Sequence, residues 1–173
     1  MDGKEDYLVI DGYNMINAWP ELNRIKEESF EDARQKLIEI LENYQGIKKI
    51  RIIIVFDAHQ VKGGLERKET HHSVEVIFTR EGETADMLIE RMVGELSRRG
   101  YTFVATSDWI EQSISLQRGA LRISARELYE DIKNTVSGAM ELARDERKGL
   151  GSLHYHLPVE VKEKLEKWRR GKT

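Results

Sequence analysis

Apolar residues fall along this chain in two alternating rhythms. Short, nearly unbroken runs recur at Tyr7–Ile10, Ile50–Phe56, Val74–Phe78, Tyr101–Ala105 and Leu121–Ile123. Most are rich in Val and Ile, the pattern of strands buried on both faces in a parallel sheet. Between most of them, apolar residues return every three or four positions. Ser29 caps a predicted helix running to Tyr44, with Asp32 at the third position. Its stripe is Phe30, Ala33, Leu37, Leu41 and Tyr44, and Gly46 is its expected stop. Thr84 caps a second helix carrying Leu88, Met92 and Leu96, which ends before Gly100. Ser107 starts a third, with Ile110 and Ile114 facing inward and Gly119 past its end. Ser124 with Glu127 forms a capping box for a fourth, longer helix that reaches Arg147.

Strands alternating with helices predict a wound α/β sheet. Residues 57–73 break the alternation and read as a long polar loop, a kind of segment that in compact domains is usually functional or mobile. Residues 1–150 are expected to form one domain, and 151–173 a linker with a short basic helix.

Composition narrows the function classes. The 173 residues are 39% hydrophobic, enough for a core, and 34% charged with both signs interspersed. Cysteine is absent, which excludes disulfides, a thiolate zinc site and a cysteine nucleophile. No apolar run approaches the roughly 20 residues of a membrane helix, and "MDGKED" does not open a signal peptide. A cytoplasmic protein without a membrane partner is expected. The net charge of −3 argues against gripping nucleic acid by bulk electrostatics, but leaves room for local basic patches or a site made positive by metal ions.

The candidate chemistry lies where strands end. Asp11 ends the first strand, Asp57 the second and Asp108 follows the fourth, while Asp86 sits where the third gives way to a helix. In an open parallel sheet those ends share one edge, and ligands bind there at the point where strand order reverses. Each residue alone has a plain structural reading. Asp–Gly is a common turn, Asp86 and Asp108 suit a helix N-terminus, and Asp57 suits a solvated loop. Four together point to a metal site, because converging carboxylates repel unless a cation compensates. Hard oxygen ligands select Mg²⁺ or Mn²⁺. Two such ions roughly 4 Å apart can stabilise the attacking and leaving oxygens of phosphodiester cleavage, with water as the nucleophile. Gly12 lets the backbone turn closely at the strand tip, and Asn14 can bond a ligand, a water or a phosphate.

"VIDGYNMI", "VFDAH", "VIFTREGETAD" and "VATSDW" together resemble the YacP-like branch of the NYN-domain ribonucleases, relatives of PIN-domain nucleases. The resemblance runs in order from Tyr7 to Arg147, with "DGYN", "AWP" and "ETAD" its most specific parts. It implies a Rossmann-like, three-layer α/β/α sandwich with a mainly parallel sheet. It also implies a Mg²⁺- or Mn²⁺-dependent endoribonuclease that acts on messenger RNA with translating ribosomes, not on DNA. The family's acidic positions match Asp11, Asp86 and Asp108, with Asn14 the accompanying amide and Asp57 an accessory ligand.

Other features are weaker. Lys62, Arg67 and Lys68 can contact RNA phosphates or simply solvate a loop. Tyr13 can stack on a base, whereas packing is the default for Trp19. His71–His72 and His154–His156 lack the spacing of a metal site, and His59 reads as a loop residue. The terminal "KEKLEKWRRGK" is either an RNA or ribosome contact or a solvated helix. Two rival functions stay open: a noncatalytic RNA- or ribosome-binding adaptor, and a phosphatase of the haloacid-dehalogenase type. The second requires an Asp two residues beyond Asp11, where this chain has Tyr13.

Overall fold

Six strands join in one sheet of order β3-β4-β2-β1-β5-β6. The computed structural model describes residues 4–58, 67–107 and 119–147. The strands are β1 (Tyr7–Asp11), β2 (Arg51–Phe56), β3 (Arg67–His71), β4 (Val74–Phe78), β5 (Thr102–Ala105) and β6 (Leu121–Ile123). The helices are α1 (Gly12–Ala18), α2 (Pro20–Glu28), α3 (Phe30–Lys48), α4 (Ala85–Leu96) and α5 (Ala125–Arg147). All neighbouring strands pair in parallel except β3 and β4. This is the expected mainly parallel α/β class.

The central strands are apolar on both sides because both faces are covered. Leu8, Ile10, Ile52, Ile54, Phe56, Val76 and Phe78 face a core shared with α1, α2, α3 and α5. Their alternating neighbours Tyr7, Val9, Ile53, Val55 and Ile77 pack with Leu88, Ile89 and Val93 of α4. The two cores make the sheet the middle layer of three.

Several expected elements hold with small shifts. Ser29 caps α3 by accepting the Asp32 N–H, and Thr84 caps α4 by accepting the Met87 N–H. The capping box of α5 closes in both directions. Ser124 Oγ accepts the Glu127 N–H at 3.1 Å, and the Glu127 carboxylate accepts the Ser124 N–H at 2.7 Å. Those bonds hold the Glu127 carboxyl below its ordinary range.

Three expectations are corrected. Gly46 does not stop α3, which continues to Lys48 and ends on Lys49 in the left-handed region at φ 58. Packing of Leu41 and Tyr44 carries the helix past a residue of poor propensity. The polar 57–73 stretch is not all loop, since Arg67–His71 forms β3, antiparallel to β4. It is polar because it is an edge strand, and His72, at φ 54, lies in the tight turn between the two. The third correction is that α1 and α2 fill what reads in the sequence as a strand tip and a connector. Asp11 caps α1, and Pro20 opens α2 at a position where a missing N–H costs nothing. Trp19, between them, is 1% exposed, and its Nε1–H donates to Ala125 O at 2.8 Å. That bond ties both short helices to α5 and explains the "AWP" step. The expected helix after Ser107 and the terminal segment 151–173 fall outside the described residues.

Candidate active site at the carboxyl edge of the sheet

Strand order reverses at β1. From β1 the chain goes outward to β2 and β4, then crosses back to β5 and β6 on the other side. The carboxyl end of β1 is therefore the crevice-forming point of the sheet. Asp11 occupies it, and it is 5% exposed. In register, Asp11 lies opposite Val55, so Asp57 follows two residues beyond on the adjacent strand end.

Asp11 does two jobs. Its Oδ1 accepts the Asn14 N–H at 3.2 Å, which caps α1. The carboxyl is also pushed above its ordinary range, first by burial and further by the negative charge of Asp57. Bonds from the Asn14 side chain and from the Asn14 and Tyr13 backbone work in the opposite direction. The half-buried Asp57 thus acts on the buried Asp11 from the adjoining strand end. The donor set is hard oxygen with an adjacent amide, and it fits a hard divalent cation, whose charge would offset both burial and repulsion.

Asn14 is the hub. Its side chain bonds Asp11, and its Oδ1 accepts the Ser107 hydroxyl. Ser107 follows β5 and directly precedes Asp108, so the amide joins the ends of β1 and β5. Sequence reading gives Ser107 a capping role and misses this one, because no local signal links residues 93 positions apart.

Gly12 has a packing reason rather than a turning one. A Cβ there would sit 2.2 Å from the Phe56 ring. The helix start therefore lies flat on the residue that precedes Asp57. Thr79, fully buried, holds the same segment from the other side. Its Oγ1 accepts the Ala58 N–H at 2.9 Å, and its own N–H donates to Phe56 O.

Asp86 stands in the first turn of α4 and is exposed. The segment leading to it is anchored by Glu83, which is 8% exposed and pairs with Arg91 at 2.9 Å and Arg80 at 3.6 Å. Asp108, Lys62, His59 and His154–His156 fall outside the described residues. Among the described residues, no three carboxylate or imidazole groups gather closely enough to hold an ion. The structure thus brings together Asp11, Asp57 and Asn14 and leaves Asp86 on the α4 side of the same edge.

Tyr13 is not a stacking platform. It is 8% exposed and meets Phe30 and Phe56 edge to face. Its hydroxyl accepts a bond from the Arg34 guanidinium at 3.2 Å. Arg67 pairs with Glu69 and lies 4.5 Å over the Phe78 ring at the end of β4, next to exposed Lys68. His71 and His72 bond different carboxylates, Glu69 and Glu42, as expected of adjacent histidines.

A mainly parallel α/β sheet with an acidic tip at its switch point defines a nuclease-type fold of the PIN-like kind. The YacP-like NYN domain family matches residues 8–170, and the chain belongs to that family. It is 46% identical to the YacP protein of Bacillus subtilis strain 168 over 167 residues, covering 96% of this chain and 98% of that protein. The crystal structure of Rae1 (YacP) from Bacillus subtilis matches with a TM-score of 0.71 at 46% identity, covering 96% of this chain and 95% of that one. A tryptophan-to-leucine variant of Rae1 matches with the same TM-score at 39% identity, covering 93% and 98%. No described helix is long and apolar enough to cross a membrane.

Proposed function

We propose that this protein is a metal-dependent endoribonuclease that cleaves RNA phosphodiester bonds, with messenger RNA on translating ribosomes as its substrate in the cytoplasm. The observation that carries the reading is the buried Asp11 carboxylate, set against Asp57 at the switch point of a nuclease-type sheet. A buried carboxyl pressed by a neighbouring like charge opposes folding, and such perturbed groups cluster at functional sites. Membership of the YacP-like NYN family supports the same reading.

Asp11, Asp86 and Asp108 are the ligands we assign to Mg²⁺ or Mn²⁺, with Asp57 assisting. When bound, the ions supply positive charge to the phosphate and to the attacking and leaving oxygens. The chain's own residues do the positioning. Asn14 holds Asp11 and, through Ser107, the end of β5, so the carboxylates keep one arrangement as RNA enters. Phe56, Gly12 and Thr79 fix the backbone that presents Asp57. The near-neutral chain suits a substrate presented by a ribosome, which lessens the need for a broad basic groove.

The test is cleavage of a long messenger RNA in Mn²⁺ by wild type and by Asp86→Asn, each with and without translating ribosomes. Cleavage by wild type alone is the expected result. Binding of RNA or ribosomes without cleavage under any condition would replace the nuclease with an adaptor.

A further inference from the structure

We propose that Arg34 and Phe30 form a nucleotide subsite beside the acidic centre, Arg34 taking an RNA phosphate next to the scissile one and Phe30 stacking its base. The inference rests on the nuclease reading above and adds to it the residues that seat the strand.

The geometry begins with Tyr13, two residues after Asp11. Its ring is wedged between Phe30 and Phe56, at centroid distances of 5.9 and 5.1 Å. Phe56 directly precedes Asp57, and the negative charge of Asp57 acts on the Tyr13 hydroxyl. That hydroxyl accepts the Arg34 guanidinium at 3.2 Å. Arg34 lies in the second turn of α3, at the end of that helix nearest the carboxyl edge, since α3 runs back from there to begin β2.

The choice of partner is informative. Other arginines of known pairing, such as Arg51, Arg91 and Arg99, are bound to carboxylates. Arg34 is held by a neutral phenol, and among the described residues no carboxylate lies within ion-pair reach of it. A phenol fixes the direction of a guanidinium without cancelling its charge. The remaining N–H donors stay available for a phosphate, the ligand a planar guanidinium matches best. Phe30 completes the subsite. It is 40% exposed, although its place on the helix stripe predicts burial, and it stands against the same Tyr13 ring. An exposed aromatic beside a cation is the pairing that single-stranded RNA binders use, with stacking for the base and charge for the backbone. Tyr13 is then a positioning residue that acts through Arg34.

The experiment measures RNA binding in an Asp86→Asn background, across a salt series, together with KM and kcat in otherwise wild-type protein. Arg34→Gln is expected to weaken binding and raise KM roughly tenfold. It should also flatten the salt dependence by about 0.7 in the log–log slope, the signature of one lost contact to a single strand. Arg34→Lys should restore the slope and part of the affinity. Tyr13→Phe keeps the ring and removes the anchor. It should weaken binding by itself and add nothing on top of Arg34→Gln. Phe30→Ala should weaken binding with the slope unchanged. Wild-type affinity and slope in Arg34→Gln, with cleavage intact, would overturn the subsite and leave the nuclease standing. Failure of the wild type to bind or cut RNA would overturn both.

Discussion

The two edges of the sheet treat their charges in opposite ways. At the amino edge, Arg51 stands between Glu5 and Glu75 at 3.3 and 2.7 Å, one cation paired with two carboxylates within the chain. Arg51 and Glu5 are well exposed, at 48% and 62%, and Glu75 is half-buried. At the carboxyl edge, Asp11 is 5% exposed and the charge that acts on it is another carboxylate. Of the nearby cations, Arg34 is held by the Tyr13 hydroxyl and Arg67 by Glu69. One edge is finished by folding. At the other, a like charge presses on a buried carboxyl, a repulsion that a cation from outside would relieve.

The largest test of that contrast is Asp11→Asn. It keeps the cap on α1, since Asn accepts the same N–H, and should reduce cleavage by about a hundred- to a thousandfold. In metal-free buffer the variant should be at least as stable as wild type. Burial and Asp57 raise the folded-state affinity of Asp11 for a proton above that of the unfolded chain. Protons therefore favour the fold. Wild type should gain stability relative to Asp11→Asn as pH falls through the raised range toward the ordinary carboxylate value, and gain nothing further below it. Adding Mn²⁺ should raise the melting temperature of wild type more than that of the variant. Thermal unfolding across pH, with and without Mn²⁺, reads all three. A variant less stable than wild type at neutral pH without metal would mean that the edge is not strained.

Gly12→Ala probes the backbone beneath the same edge. The added Cβ meets a fully buried ring that is stacked on Phe78, so the ring must move. Overpacking of this kind costs about 1–3 kcal/mol. Phe56 carries Asp57, so activity per folded molecule should fall as well. Denaturant titration beside a cleavage assay separates the two losses. A variant with unchanged stability would show that the contact relaxes freely.

The contrast between edges also explains what could be read in advance. The central strands announce themselves because burial on both faces leaves few polar positions, and α4 and α5 because their caps are local in sequence. Asp11 and Asp57 could be read together because adjacent parallel strands end side by side, whereas Asp86 stands apart in the first turn of α4. What could not be read was tertiary. β3 is polar because it is an edge, α1 is too short to show a period, and α2 is anchored through Trp19 to Ala125, 106 residues away. Asn14–Ser107 and Tyr13–Arg34 are side-chain bonds between elements and leave no local mark. For that reason Tyr13 suggested a stacking face in the sequence and shows an anchoring hydroxyl in the fold.

Arg51→Met is the smallest test and the control for the others. Exposed ion pairs contribute about 0–1 kcal/mol, because water already solvates both partners and ordering long side chains costs entropy. The hydrogen bonds to Glu75 and Glu5 raise the Arg51 pKa above its ordinary value, but so exposed a group converts little of that into stability. The variant should lose at most about 1 kcal/mol. The loss should shrink further in 1 M salt, where screening acts over about 3 Å. Cleavage should be unchanged, since Arg51 opens β2 and Asp57 follows its far end. Urea unfolding at two salt concentrations measures the first effect, and the Mn²⁺ cleavage assay the second. A large loss of activity would mean that the two edges are coupled through β2. A small loss of stability alone would show that the paired charges at the amino edge serve the fold and not the chemistry.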